Sequence, residues 1–135
     1  MSGPLKGICV LDLSRILAGP WATQMLADYG AEVIKIEHPN GGDDTRRWGP
    51  PYLNDQQEQN TEESAYYLST NRGKASIAID ITKSDGQAVL KQLLKNCDVL
   101  VENFKVGGLK KYGLDYHSLK NEFPSLIPPS LLFFS

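Results

Sequence analysis

The residues able to do chemistry gather at a few turns. Ser14-Arg15-Ile16-Leu17-Ala18-Gly19-Pro20 follows a short apolar run. Small residues at positions 18 and 19 let a ligand approach the backbone, and a helix opening there offers its N-terminal amides to an anion. The same residues serve equally as a plain tight turn into a helix. Neither G-x-G-x-x-G nor G-x-x-x-x-G-K-[ST] is present, so both nucleotide fingerprints are absent. Glu102-Asn103-Phe104 pairs a polar amide with an aromatic ring, which suits a ligand carrying a flat ring. Asn103 as a helix cap over a core Phe104 fits the same residues. Lys105, Lys110 and Lys111 follow and could meet phosphates, although exposed lysines usually meet only water. A solvated surface is likewise the expectation for Arg46, Arg47, Arg72 and Lys74.

Other candidates are weaker. Asp43-Asp44-Thr45-Arg46 has no His or Cys at ligand spacing, so it reads as a turn and no metal is expected. Neither His38 nor His117 has the sequence neighbours of a nucleophilic triad. Asp12 lies inside a strand, where a buried, hydrogen-bonded role fits better than a catalytic one. Cys9 and Cys97 are far apart in sequence in apolar settings and read as small core residues of a reduced chain.

Composition bounds the function. The chain has 135 residues, 41% of them hydrophobic and 22% charged, which is globular rather than disordered. A net charge of -2 gives no basic excess to draw the chain to nucleic acid or to an anionic membrane. Any anion site must therefore be local. No stretch nears the ~20 apolar residues of a membrane span. The first residues lack the apolar segment of a signal peptide. The expected location is cytoplasmic; the mitochondrial matrix stays open for a eukaryotic source, although no transit peptide is visible.

The elements that must position these turns alternate. Gly7 to Leu13 reads as a strand buried on both faces. Pro20 suits a first helical position, and Ala22, Met25, Leu26 and Tyr29 give one apolar face. Gly30 is placed for a left-handed cap, and Glu32 to Glu37 is the second strand. Residues 54–63 read as a surface loop, and Thr61 to Leu68 as a short helix. Ala75 to Ile81 is the third strand. Ser84 and Gln87 form a capping-box signature before a helix carrying Val89, Leu90, Leu93 and Leu94. Cys97 to Glu102 is the fourth strand, short helices follow at 107–112 and 116–122, and Ser125 to Ile127 begins a fifth strand. The fold class is α/β: a mostly parallel sheet with helices on both faces. Ligands of such sheets sit outside the carboxyl ends of the strands, where the turns above lie.

Taken together, the turns resemble a known family. Pro4-Leu5-Lys6-Gly7-Ile8, Leu17-Ala18-Gly19-Pro20, the run from Leu26 to Glu37, Gly42-Asp43-Asp44-Thr45-Arg46, Asn71-Arg72-Gly73-Lys74 and Cys97 to Phe104 occur in the order and spacing of the class III CoA-transferases. This is the formyl-CoA transferase and carnitine CoA-transferase family. The resemblance runs from about Pro4 to Ile127 and covers roughly the first third of a family member.

The resemblance implies an incomplete N-terminal portion of a Rossmann-like, CoA-binding domain from an interlocked homodimer. Family members move CoA from an acyl-CoA to a small carboxylic acid through an acylated aspartate, without a metal. That aspartate is expected downstream of this chain, so no catalytic residue is assigned and the chain alone is expected to be inactive. The CoA contacts carry over to Leu17 and Ala18, to His38, to Ile79, Asp80, Ile81 and Thr82, to Asn103, Phe104 and Lys105, and to Lys111. Leu17 replaces the glutamine of the formyl enzyme, which leans toward larger donors such as succinyl-CoA. His38 and Lys111 stand where that enzyme has arginines, so a fork of donors is lost at each. Residues 1–127 are expected to be the family portion and 128–135 an aberrant tail. Two alternatives stay open. One is a fragment of an α-methylacyl-CoA racemase-like enzyme, which Asn103 disfavours because that branch carries a proline there. The other is a non-catalytic truncated product that binds CoA weakly or joins a full-length partner.

Overall fold

The computed structural model describes residues 2–127; the expected aberrant tail at 128–135 lies outside the described residues. Four parallel strands form the main sheet: β1 (Cys9–Asp12), β2 (Glu32–Glu37), β5 (Lys74–Ala78) and β6 (Val99–Val101). Their spatial order is β5-β2-β1-β6. Helix α1 (Ala18–Asp28) joins β1 to β2, and α3 (Ser84–Leu94) lies between β5 and β6. The pleat sorts the core by face. Val10, Val33 and Val101 pack with Ala27 of α1 on one side. Leu11, Ile36 and Leu100 pack with Leu90 and Leu94 of α3 on the other. Helices thus cover both faces, as the α/β expectation requires. Ile127 makes an isolated parallel bridge to Val99, beside β6.

Several expectations change in detail. Pro20 is the third residue of α1, not its first. The buried face of α1 is Gly19, Pro20, Thr23, Gln24 and Ala27. Met25 is 47% exposed and Tyr29 54%, so half of the apolar stripe read from hydropathy faces outward, while Leu26 packs against the core. Thr23 and Gln24 can be buried because each finds partners: Thr23 donates to Asp12, and Gln24 bonds the Ser69 carbonyl and the Arg72 amide. Gly30 does take the left-handed conformation, with φ 98°.

The stretch read as a loop holds an antiparallel hairpin, β3 (Tyr52–Asn54) and β4 (Asn60–Ser64). Its short strands carry no hydrophobic alternation to reveal them. Helix α2 is Ala65–Thr70, later than expected, because the Ser64 side chain caps it by accepting from the Tyr67 amide. Strand β5 stops at Ala78, where Asp80 closes a turn onto Thr82. The capping box does not form: Lys83 is the N-cap of α3, and the Gln87 side chain donates to the Ile81 carbonyl. Beyond β6 come a 3-10 turn at Lys110–Tyr112 and the short helix α4 (Tyr116–Leu119).

Candidate functional site

The chain runs outward from β1 through β2 to β5, then returns to the other side of β1 as β6. The order therefore reverses between β1 and β6, and the crevice above their carboxyl ends is the place for a ligand. Two of the expected turns meet there. Asn103, just past β6, accepts from the Arg15 amide at 2.9 Å and donates to the Arg15 carbonyl at 2.7 Å. It caps no helix; its side chain extends the sheet to the turn. Phe104 packs against the core, and the Arg15 guanidinium sits 5.1 Å from its ring centre.

Three successive amides of the turn go to three side chains. Ser14 donates to Asp12 at 2.9 Å, Arg15 to Asn103, and Ile16 to both oxygens of Asp43 at 3.3 and 3.2 Å. The amides of Leu17 and Ala18, at the head of α1, take no acceptor among the described residues. Ala18 is exposed, so its backbone is open to a ligand. Gly19 is small for another reason. A Cβ there would lie 2.4 Å from the Ser14 Cβ, so internal packing demands glycine.

The remaining candidates spread over the other strand ends. His38 is exposed after β2, and its Nδ1 accepts from the Asn40 amide at 3.0 Å, which leaves Nε2 outward. Asp80 lies near enough to His38 to feel its charge; its carboxyl is held low first by the Thr82 hydroxyl, then by the Thr82 amide. Ile79 is buried and Ile81 packs on the same core, so only their backbones can meet a ligand. Lys105 and Lys111 are exposed, and the Lys111 Nζ lies 4.8 Å from the Tyr112 ring centre. A cleft of about 540 Å³ opens at the end of β2, lined by His38, Gly42, Arg46, Tyr52 and Ser76 among others. Of the expected site residues, only His38 lines it.

Sequence reasoning missed a buried charge network beneath these turns. Asp12 accepts from Ser14, Thr23 and Lys74, with Lys74 Nζ at 3.1 Å. Lys74 was expected on the surface, yet its side chain is 2% exposed. Burial pushes its ammonium down to about 8 against the pull of Asp12. Lys35 Nζ donates to Asp43 and to the Ser14 carbonyl, both at 2.9 Å. Burial alone would raise the Asp43 carboxyl, but the Lys35 charge and hydrogen bond hold it low. Arg46, also expected on the surface, forks onto Glu37 with two bonds of 2.8 Å and lies 3.7 Å from the Tyr67 ring centre. Glu37 further accepts from Tyr67, Ser76 and the Asp43 amide. Burial opposes its ionisation, and these donors outweigh burial, holding the carboxyl far below its usual range. Arg47 and Arg72 are exposed as expected, Arg72 pairing with Asp28. The available signal was Lys35 inside an apolar strand, which requires a buried partner.

The cysteines also converge. Their sulfurs lie 3.2 Å apart, although 88 residues separate them. Burial and the neighbouring Cys9 thiol push Cys97 up to about 12, away from the reactive thiolate. Among the described residues, no group of three or more His, Cys, Asp or Glu could hold a metal ion. None of the helices described there is long and apolar enough to cross a membrane.

A parallel sheet in this order, with a helix-heading turn at its reversal, defines a Rossmann-like α/β unit. A sequence profile of CoA-transferase family III matches residues 5–134, and the chain belongs to that family. A succinate–glutarate CoA-transferase of Agrobacterium fabrum is 54% identical over 97% of this chain and 32% of its own length. The human succinyl-CoA:glutarate CoA-transferase is 49% identical over 92% of this chain and 27% of its own. The crystal structure of a CAIB/BAIF family protein from Brucella suis superposes with a TM-score of 0.87 at 50% identity, covering 96% of this chain and 33% of that one. The chain therefore spans about a third of the length of the relatives it matches.

Proposed function

We propose that this chain is the N-terminal, coenzyme A-binding part of an enzyme that moves CoA from an acyl-CoA to a carboxylic acid. One observation carries the reading: the amides of Leu17 and Ala18 stand without acceptors among the described residues at the reversal point, in the turn that Asn103 binds. A helix N-terminus in that place suits a phosphate or a polarised thioester oxygen. Membership in the transferase family supplies the chemistry that such a turn would serve. His38 and the Asp80–Thr82 turn extend the proposed contact along the strand ends, with Phe104, Lys105 and Lys111 on the far side.

In the whole enzyme, an aspartate beyond this chain attacks the thioester carbonyl and expels CoA as a thiolate, leaving an acyl anhydride. The CoA thiolate then attacks the aspartyl carbonyl of that anhydride, releasing the donor carboxylate and leaving an aspartyl-CoA thioester. The acceptor carboxylate displaces CoA from it as a second anhydride. The thiolate attacks the acceptor's acyl carbon, giving the new acyl-CoA and freeing the aspartate. The role of the residues present here is to bind and orient the CoA. The relatives named for succinate and glutarate make succinyl-CoA and glutarate the first pair to test.

Two assays on the purified chain test the reading. Isothermal titration with CoA should give saturable binding. Incubation with succinyl-CoA and glutarate should give no glutaryl-CoA, because the proposed nucleophile lies outside the chain. No heat of binding at millimolar CoA would remove the binding claim, and measurable transfer would remove the claim of inactivity.

A further inference from the structure

We propose that Asp43 is a positioning residue: braced by Lys35, it fixes the Ser14–Gly19 turn in the conformation that receives CoA. The inference rests on the CoA reading of that turn and goes beyond it, because Asp43 itself touches no expected ligand position.

Ile16 sits at φ 72°, a left-handed conformation that a β-branched residue rarely takes. Its side chain is exposed, so burial does not reward the strain. What holds it is polar. The Ile16 amide points at both oxygens of Asp43, and Asp43 is buried. Lys35 closes the bracket by donating to Asp43 and to the carbonyl of Ser14, two residues before Ile16. Lys35 and Asp43 side chains are 1% and 0% exposed, so water does not compete for these bonds. Asp43 is anchored in turn, because its amide donates to Glu37 at 2.8 Å. The next residues along the chain are Leu17 and Ala18, so their amides inherit the direction that Ile16 sets.

Asp43 also caps a 3-10 turn through the Thr45 amide and hydroxyl. A purely local role would end there. The two roles separate by experiment. Removing Asp43 alone would leave the Lys35 ammonium buried and unpaired, so paired replacements are used in the full 135-residue chain. Lys35→Met with Asp43→Asn removes both charges but keeps an oxygen for the Ile16 amide. Lys35→Met with Asp43→Leu removes that oxygen too.

CoA itself is the probe, titrated calorimetrically, with amide exchange at Ile16 followed by NMR. The Leu-containing pair should bind CoA about tenfold more weakly than the Asn-containing pair, the size of effect expected when the Ile16 bond that orients the turn is lost. Its Ile16 amide should also exchange faster. Equal CoA affinity for the two pairs would overturn the proposal while leaving the CoA reading intact. If the unaltered chain binds no CoA, the CoA reading falls and this role falls with it. Should neither pair fold, the unaltered chain still decides. An Ile16 amide there that exchanges at the rate of open chain contradicts the brace, and a protected one supports it.

Discussion

The first strand–helix turn is held from two sides, and the two sides are built differently. Toward β2 the hold is buried and ionic: Lys35, Asp43, Glu37 and Arg46 form one bonded chain. Toward β6 it is a single neutral amide, Asn103, at the surface. Glu37, which ends β2, and Glu102, just past β6, carry the same contrast. Glu37 collects donors that outweigh burial, and its carboxyl is held low. Glu102 has one donor, the Phe104 amide, and burial pushes its carboxyl up. The β2 side is therefore held from within the core, and the β6 side is held at the surface.

Breaking the buried side should have the largest effect. Asp12→Ala removes the carboxylate that neutralises the buried Lys74 ammonium, leaving it only the Pro20 carbonyl and Asn71 Oδ1 as acceptors. A loss of about 3–5 kcal/mol is expected, read as the loss of a cooperative unfolding transition in urea. A loss below about 1 kcal/mol would mean that the neutral acceptors Pro20 and Asn71 suffice to hold Lys74.

Glu37→Gln should come next, at about 3 kcal/mol near neutral pH, since the fork to Arg46 is broken. It should also change the acid limb of stability. The folded carboxyl lies below its unfolded value of 4.5, so its contribution is complete above that pH and is lost as pH falls below it. The variant should therefore lose less stability than the parent on acidification below about 4.5. Parallel acid limbs would show that Glu37 is not the group responsible.

The exposed side should respond less. Asn103→Ala removes two bonds to Arg15 and is expected to cost about 1–2 kcal/mol. Amide exchange at Arg15 should rise while β2 amides stay protected, and CoA binding should weaken. Glu102→Gln is the smallest change and has the opposite sign. A carboxyl raised by burial disfavours the folded state once it ionises, from the unfolded value upward. The variant should unfold at a slightly higher urea concentration at pH 7, and a clear fall would refute the contrast between the two glutamates.

Much of this architecture was legible in the residues. β2 has the bounds its alternation gave, and the strand–helix–strand start and the parallel sheet are as expected. Those features follow from apolar periodicity, which is local. The buried polar network is not local. Asp12 and Lys74 are 62 residues apart, and nothing near either announces the other. Hydropathy assigns Thr23, Gln24, Lys35 and Lys74 to water, so it missed the buried polar residues of α1 and sent Lys74 and Arg46 to the surface. Likewise, Gly19 looked like room for a ligand, and only the fold shows Ser14 filling that space. The strand-end turns followed from the fold class, and the family resemblance assigned the expected CoA contacts to individual residues within them. The fold draws Leu17, Ala18 and Asn103 together, and leaves Lys111 against Tyr112.

The most direct test is an NMR titration of the isotope-labelled chain with CoA. If the reversal point is the CoA site, the amides of Leu17, Ala18 and Asn103 shift together along one saturable curve. If those three stay fixed while other amides move, or none move at millimolar CoA, the site has been put in the wrong place.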